Sequence, residues 1–221
     1  MLLQIDLYSF IEGSPLLVIN QDAIWLNYLF LEGLNDKETF QYNRISIDTS
    51  TDWGTLEGRV TVIQSGIEIL RSFDLASYLL LQSSKDRSLF LLSYLHEKLS
   101  EFDFGVPQAY WDVAYQYCID RNFQFCKRSK RKNASLKGRR GRSCYLYGEI
   151  NIEEFRLYVI IEDSKLMTAQ RFLVATPPRY FFNNFNGYKL KVNLDNTIDI
   201  WDASYYKDNL RLEGLQLDFE G

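Results

Sequence analysis

Apolar and polar positions alternate from the start of the chain. Leu3, Ile5 and Leu7 are set against Gln4, Asp6 and Tyr8, a period of two that predicts a half-buried strand. The turn-forming run Glu12-Gly13-Ser14-Pro15 leads into the apolar stretch Leu16 to Ile19, so the opening reads as a hairpin. Ala23 to Leu31 is nine residues long and apolar apart from Asn27; it fits a buried strand or a short helix, and strand is the reading adopted. Thr61-Val62-Ile63 and Ile67-Glu68-Ile69-Leu70 flank Gln64-Ser65-Gly66, a second hairpin in which Gly66 can supply the positive φ of a tight turn.

The period changes in the middle of the chain. After Asp74 or Ser84, either of which can cap a helix, Leu89, Leu92, Leu95, Leu99 and Phe102 recur at steps of three and four and predict a helix over 84–102. Pro107 suits the first turn of a second helix whose inner face carries Trp111, Ala114, Tyr115, Cys118 and Ile119. From Arg142 onward strands return over 144–150, 155–161, 169–175, 188–194, 197–201 and 210–219, with Pro177-Pro178 as a stop and Asp195-Asn196 as a turn. Short turns between consecutive strands imply antiparallel pairing. The expected class is α+β: mostly antiparallel sheet in N- and C-terminal blocks, with two central helices packed on one face. Length allows one domain over 1–221, or two packed halves that divide after residue 73.

Composition narrows the class further. With 46% hydrophobic and 24% charged residues in 221, the chain is expected to be globular, and disorder, collagen-like repeats and coiled coils are excluded. The nine-residue apolar run is far below the ~20 residues of a membrane-crossing helix. Met1 to Phe10 lacks a basic start and carries Asp6, which is unlike a secretory signal. The three cysteines, Cys118, Cys126 and Cys144, are odd in number and show no short paired spacing, so reduced thiols and a cytoplasmic location are expected.

Charge changes the picture more. The formal net charge of -4 conceals residues 121–148, which hold ten Lys or Arg and no Asp or Glu, while the rest of the chain has 15 basic against 29 acidic residues, or -14. Lys127, Arg128, Lys130, Arg131, Lys132, Arg139, Arg140 and Arg142 are candidate nucleic-acid contacts, because phosphate neutralisation needs clustered cations. No aromatic residue lies between Cys126 and Ser143, which argues against base stacking there and favours a solvated hairpin connection turned by Gly138 and Gly141.

Catalytic chemistry has few candidates. Glu149, Glu162, Asp163 and Lys165 resemble the acid and acid-x-lysine arrangement of metal-dependent nucleases, without the Pro-Asp that begins that motif, and the same residues also read as turn chemistry. His96 is the single histidine and falls inside a predicted helix. Ser93 lacks a nucleophile-elbow context, the cysteines form no C-x₂-C pair, and the glycines among the arginines form no phosphate loop. No catalytic residue, metal site or cofactor is therefore expected.

Aromatic residues supply the remaining feature. Arg179 to Tyr188 packs five rings into ten residues, more than strand alternation can bury, so some should face solvent. Tyr180, Phe181, Phe182, Phe185 and Tyr188, extended by Trp201, Tyr205 and Tyr206, are the candidate partner-binding residues. An acidic, aromatic-rich α+β chain without catalytic groups resembles, in general character, the bacterial immunity proteins that neutralise a toxin by direct binding. That resemblance implies a protein partner, held through acidic and aromatic residues; the alternative is a nucleic-acid binder or Mg-dependent nuclease acting through 127–142.

Overall fold

In the computed structural model, residues 1–2, 4–8, 17–34, 40–49, 54–130, 132–134, 142–177, 185–195, 197–202 and 210–217 are described. They form an α+β structure in two compact units. The first is Met1–Phe125 with Asn151–Glu153, and the second is Cys126–Ile150 with Glu154–Gly221. The division thus falls at Phe125 and Cys126, and 73 is interior to the first unit.

The first unit is built on a sheet of β1 (Gln4–Tyr8), β2 (Arg44–Asp48), β3 (Val60–Ile63) and β4 (Gly66–Leu70) in the order β1-β2-β4-β3. β1 pairs with β2 and β2 with β4 in parallel, and β3 closes on β4 antiparallel. Parallel neighbours need a long crossover, and α1 (Leu17–Gly33) supplies the first. This corrects the sequence reading in two places: Leu17 to Ile19 belongs to a helix instead of a second hairpin strand, and Ala23 to Leu31 lies inside that helix. Ile19, Ala23, Trp25, Leu26, Leu29 and Phe30 are all buried, because α1 packs on β1, on α3 (Ser84–Ser100) and on α4 (Ala109–Asp120). A helix covered on several sides shows no narrow apolar stripe.

The β3–β4 hairpin forms as expected, with Ile63 opposite Gly66. Its positive φ falls on Gln64, at 55°, and not on Gly66. Two caps start the central helices. Asp74 accepts from Ser77 N at 3.0 Å to begin α2 (Leu75–Leu80), and Ser83 Oγ accepts from Asp86 N at 3.0 Å to begin α3, so the cap is Ser83 and Ser84, the expected one, is the first helical residue. The buried stripe of α3 is Ser88, Leu91, Leu92, Leu95 and Leu99; Leu89 is exposed, so the face is rotated from the expected one. In α4, Trp111, Ala114 and Cys118 are buried, and Trp111 meets the rings of Phe40 and Phe104 at 5.4 and 5.6 Å.

The second unit contains β5 (Phe125–Arg128, starting on the last residue of the first unit), β6 (Lys132–Ala134), β7 (Arg142–Ile150), β8 (Phe155–Asp163) and β9 (Thr168–Ala175). Their order is β5-β7-β8-β9, with β6 also paired to β7. A second sheet joins β10 (Tyr188–Val192), β11 (Ile198–Asp202) and β12 (Arg211–Leu215), all antiparallel. The basic segment is therefore more than a connection: its described ends are strands. Lys132 lies opposite Cys144, and Ser129 N donates to Leu146 O at 2.9 Å. Partners advance along β7 as the chain steps back from 132 to 129, so both strands run antiparallel to β7.

Candidate interaction surfaces

Helix α2 has six residues and a single inward anchor. Tyr78 is buried, and its hydroxyl donates to the buried Asp22 carboxylate at 2.6 Å. With one face committed to that anchor, Leu79 and Leu80 point outward and are 56% and 75% exposed. On α3, Leu89 is 38% exposed and lines a groove of about 430 Å³ together with Leu81, Phe90, Asp86 and Glu97. Single exposed leucines are ordinary; several on one element pair, with a groove among them, point to a contact surface. The sequence signal was the run Leu79-Leu80-Leu81, too apolar for a short helix with one buried residue.

A second apolar feature is the sheet edge. Among the described residues β3 pairs only with β4, and Val62 and Ile63 are mostly exposed there.

The expected aromatic surface is only partly realised. Phe185 and Tyr188 are 0% and 4% exposed, packed edge to face with centroids 5.9 Å apart, so neither ring faces solvent. Phe185 lies against Gly148 of β7, where the missing side chain leaves room for the ring. This corrects their assignment as partner contacts: the cluster uses part of its ring area to close the core of the second unit. Trp201 is half-buried on β11, between Lys189 and Arg211 in register. Tyr180, Phe181, Phe182, Tyr205 and Tyr206 lie outside the described residues.

The basic candidates also separate. Arg128 and Lys130 are exposed, and Lys127 is half-buried, its ammonium pushed below the ordinary lysine value by burial. Arg142 is a correction, since it is buried on β7 with its Nε 3.1 Å from Asp163 Oδ2 and serves the fold. Lys132 pairs within the sheet, while Arg131, Arg139 and Arg140 lie outside the described residues.

Strand pairing brings aromatic residues beside this basic edge. A hydrogen bond between the Tyr147 hydroxyl and the Cys126 thiol places both side chains on one face, and burial together with this bond raises the tyrosine above its ordinary value. Alternation puts Arg128 on the same face as Cys126, and Tyr145 on the same face as Tyr147. Across β8 and β9 that face continues with Tyr158 and Arg171. The Arg171 guanidinium lies 3.6 Å from the Tyr158 ring centroid and 5.2 Å from that of Tyr147, held by Glu149 at 2.5 Å.

The nuclease-like acids are engaged elsewhere. Asp163 receives Arg142 and, in an Asx turn, also accepts from the backbone N of Lys165 at 3.0 Å and of Leu166 at 3.2 Å; the Arg142 bond first, then these amides, hold its carboxyl below the usual carboxylate value. Glu162 accepts from the Tyr145 hydroxyl at 3.0 Å. Glu149 pairs with Arg156 in register and Asp163 with Arg142, at opposite ends of the β7–β8 ladder. Seven steps of about 3.3 Å separate them, too far to share one ion. His96 lies 2.8 Å from Asp112 and against the Tyr115 ring, joining α3 to α4. Among the described residues no three His, Cys, Asp or Glu side chains gather in a metal-binding group, and no helix is long and apolar enough to cross a membrane. None of the three cysteines is in a disulfide, and burial pushes the thiol of Cys118 upward.

No protein-family profile matches the chain, and neither a curated protein nor a solved structure matches it.

Proposed function

We propose that this protein acts by binding another protein and not by catalysis, as an immunity-type inhibitor that covers a cognate bacterial toxin in the cytoplasm. The observation that carries the reading is the exposure of leucines on α2 and α3, Leu79, Leu80 and Leu89, with Leu80 the most exposed. They belong to a unit with 8 Lys or Arg against 18 Asp or Glu, a net charge of -10. Exposed leucines on a unit of net negative charge fit a partner that offers apolar side chains on a surface rich in Lys and Arg. Apolar contact supplies affinity in such a complex, and the net negative charge speeds encounter.

The test is purification of a stoichiometric partner from the native host, followed by affinity measurement with Leu80→Asp and Leu89→Asp. Each change should weaken the complex by about 1 to 3 kcal/mol, since exposed side chains can be replaced without loss of the fold. An affinity unchanged in both variants would move the contact away from α2 and α3. Trp201 and the sequence-level candidates Tyr180, Phe181, Phe182, Tyr205 and Tyr206 are the next to vary.

A further inference from the structure

The second unit carries a surface of a different chemistry. It has 17 Lys or Arg against 11 Asp or Glu, a net charge of +6, beside the -10 of the first unit. We propose that the β5, β7, β8 and β9 face of this unit is a binding platform for single-stranded nucleic acid, independent of the exposed leucines and their protein partner.

Three observations converge. The first is charge complementarity. The segment 127–142 has nine Lys or Arg and no acid, and of these Arg128, on the edge strand β5 beside β7, and Lys130, just after it, are exposed, so the described border of the sheet carries open cations. A chain of phosphates laid along that border would release counterions at each contact.

The second is the placement of rings. Aromatic residues are missing within the basic segment itself, yet pairing sets Tyr145 and Tyr147 on the next strand, on the face that Arg128 shares. Both are half-buried, so each keeps part of its surface accessible. Unpaired bases can stack on such rings, whereas the bases of a duplex are already stacked on each other.

The third is the preorganised Arg171. Its guanidinium carbon lies over the Tyr158 ring and Glu149 fixes it, so a planar cation is presented at the platform with its side chain already ordered. The two acids on this face do not compete for phosphate repulsion unchecked: Glu149 is held by Arg171 and Glu162 by the Tyr145 hydroxyl. In a single strand each phosphate is followed by an unpaired base that can lie on a neighbouring ring, so one chain meets the cations and Tyr145 and Tyr147 at regular spacing, whereas an acidic polypeptide meets the cations through flexible carboxylates, and this decides the choice of ligand.

The experiment is fluorescence anisotropy of the full chain with labelled oligothymidylate and oligouridylate of about 16 nucleotides, near the upper site size of one β-module. A duplex of equal length, heparin and polyglutamate serve as competitors. Binding should weaken steeply with salt, by a log–log slope of about -0.7 for each phosphate engaged. Arg128→Ala with Lys130→Ala, both at exposed positions, should reduce that slope by about 1.4. Tyr147→Ala should weaken binding roughly five-fold or more at constant salt, while Tyr147→Phe, which keeps the ring, should bind as the native chain does. The far-ultraviolet circular dichroism of every variant is compared with the native chain; if Tyr147→Ala does not fold, Tyr145→Ala replaces it with the same expectation. Three results would overturn the proposal: no anisotropy change at low salt, displacement by polyglutamate as effective as by oligothymidylate, or equal affinity for duplex and single strand with no effect of the tyrosine changes.

Discussion

Gly148 occupies a point on β7 where a methyl group has no room: a Cβ there would lie 2.7 Å from a Phe185 ring carbon and 3.0 Å from one of Phe155. Both rings are buried, so neither can swing away into solvent. Gly148→Ala should therefore destabilise the second unit by about 1 to 3 kcal/mol through overpacking, measured as a lowered midpoint in urea. The Arg142–Asp163 pair sets a pH dependence. Its ionised form is favoured in the folded chain, since the Asp163 carboxyl titrates below its ordinary value. The stabilisation is complete above the unfolded Asp value near ~3.9 and is lost as pH falls through the lower folded value. A carbon-13 titration of Asp163 should show a midpoint below that of a free aspartate, and Arg142→Gln should move it upward. A midpoint indifferent to that substitution would leave the Asx turn as the sole cause.

At the scale of elements, local chemistry starts helices and packing decides their faces. Asp74 and Ser83 each satisfy one free amide, which sequence can anticipate from the residue type just before an apolar period. Ser83→Ala should cost about 1 kcal/mol, read from thermal melting. Leu92 and Trp111 are fully covered, so Leu92→Ala or Trp111→Ala should cost roughly 2 to 5 kcal/mol by leaving a cavity. Leu89→Ala, on the exposed side of the same helix, should cost far less, and an equal loss from Leu89 and Leu92 would mean that the inner face of α3 is misplaced. Helix α1 was misread for a physical reason. Its neighbours cover most of its circumference, so even Asp22 is buried, paired with Tyr78, and the apolar period that identifies a helix is blurred.

Across the whole molecule, the near-neutral average gives way to two oppositely charged units, -10 and +6. Each charge has its own observable. For the protein partner, raising salt should slow association far more than it speeds dissociation, because the net negative charge acts on encounter and the leucines on residence. Stopped-flow rates at several ionic strengths would measure both. A dissociation rate that carries most of the salt effect would instead assign the affinity to desolvated ion pairs.

Strand blocks toward both ends, the helices α3 and α4 between them, the Asp74 cap and the inward residues Trp111, Ala114 and Cys118 were all readable from the chain, because each depends on near neighbours or on a period that burial imposes directly. So was the basic ribbon, since charge is a property of composition. Residues far apart in sequence had to meet before the rest could be known. Parallel pairing of β1, β2 and β4 depends on a crossover helix, and burial of Phe185 depends on a glycine 37 residues earlier. The approach of Tyr145 and Tyr147 to the cations of β5 is a matter of strand register. No local pattern encodes such meetings, because the free energy that selects them comes from surfaces that touch only after the chain has folded.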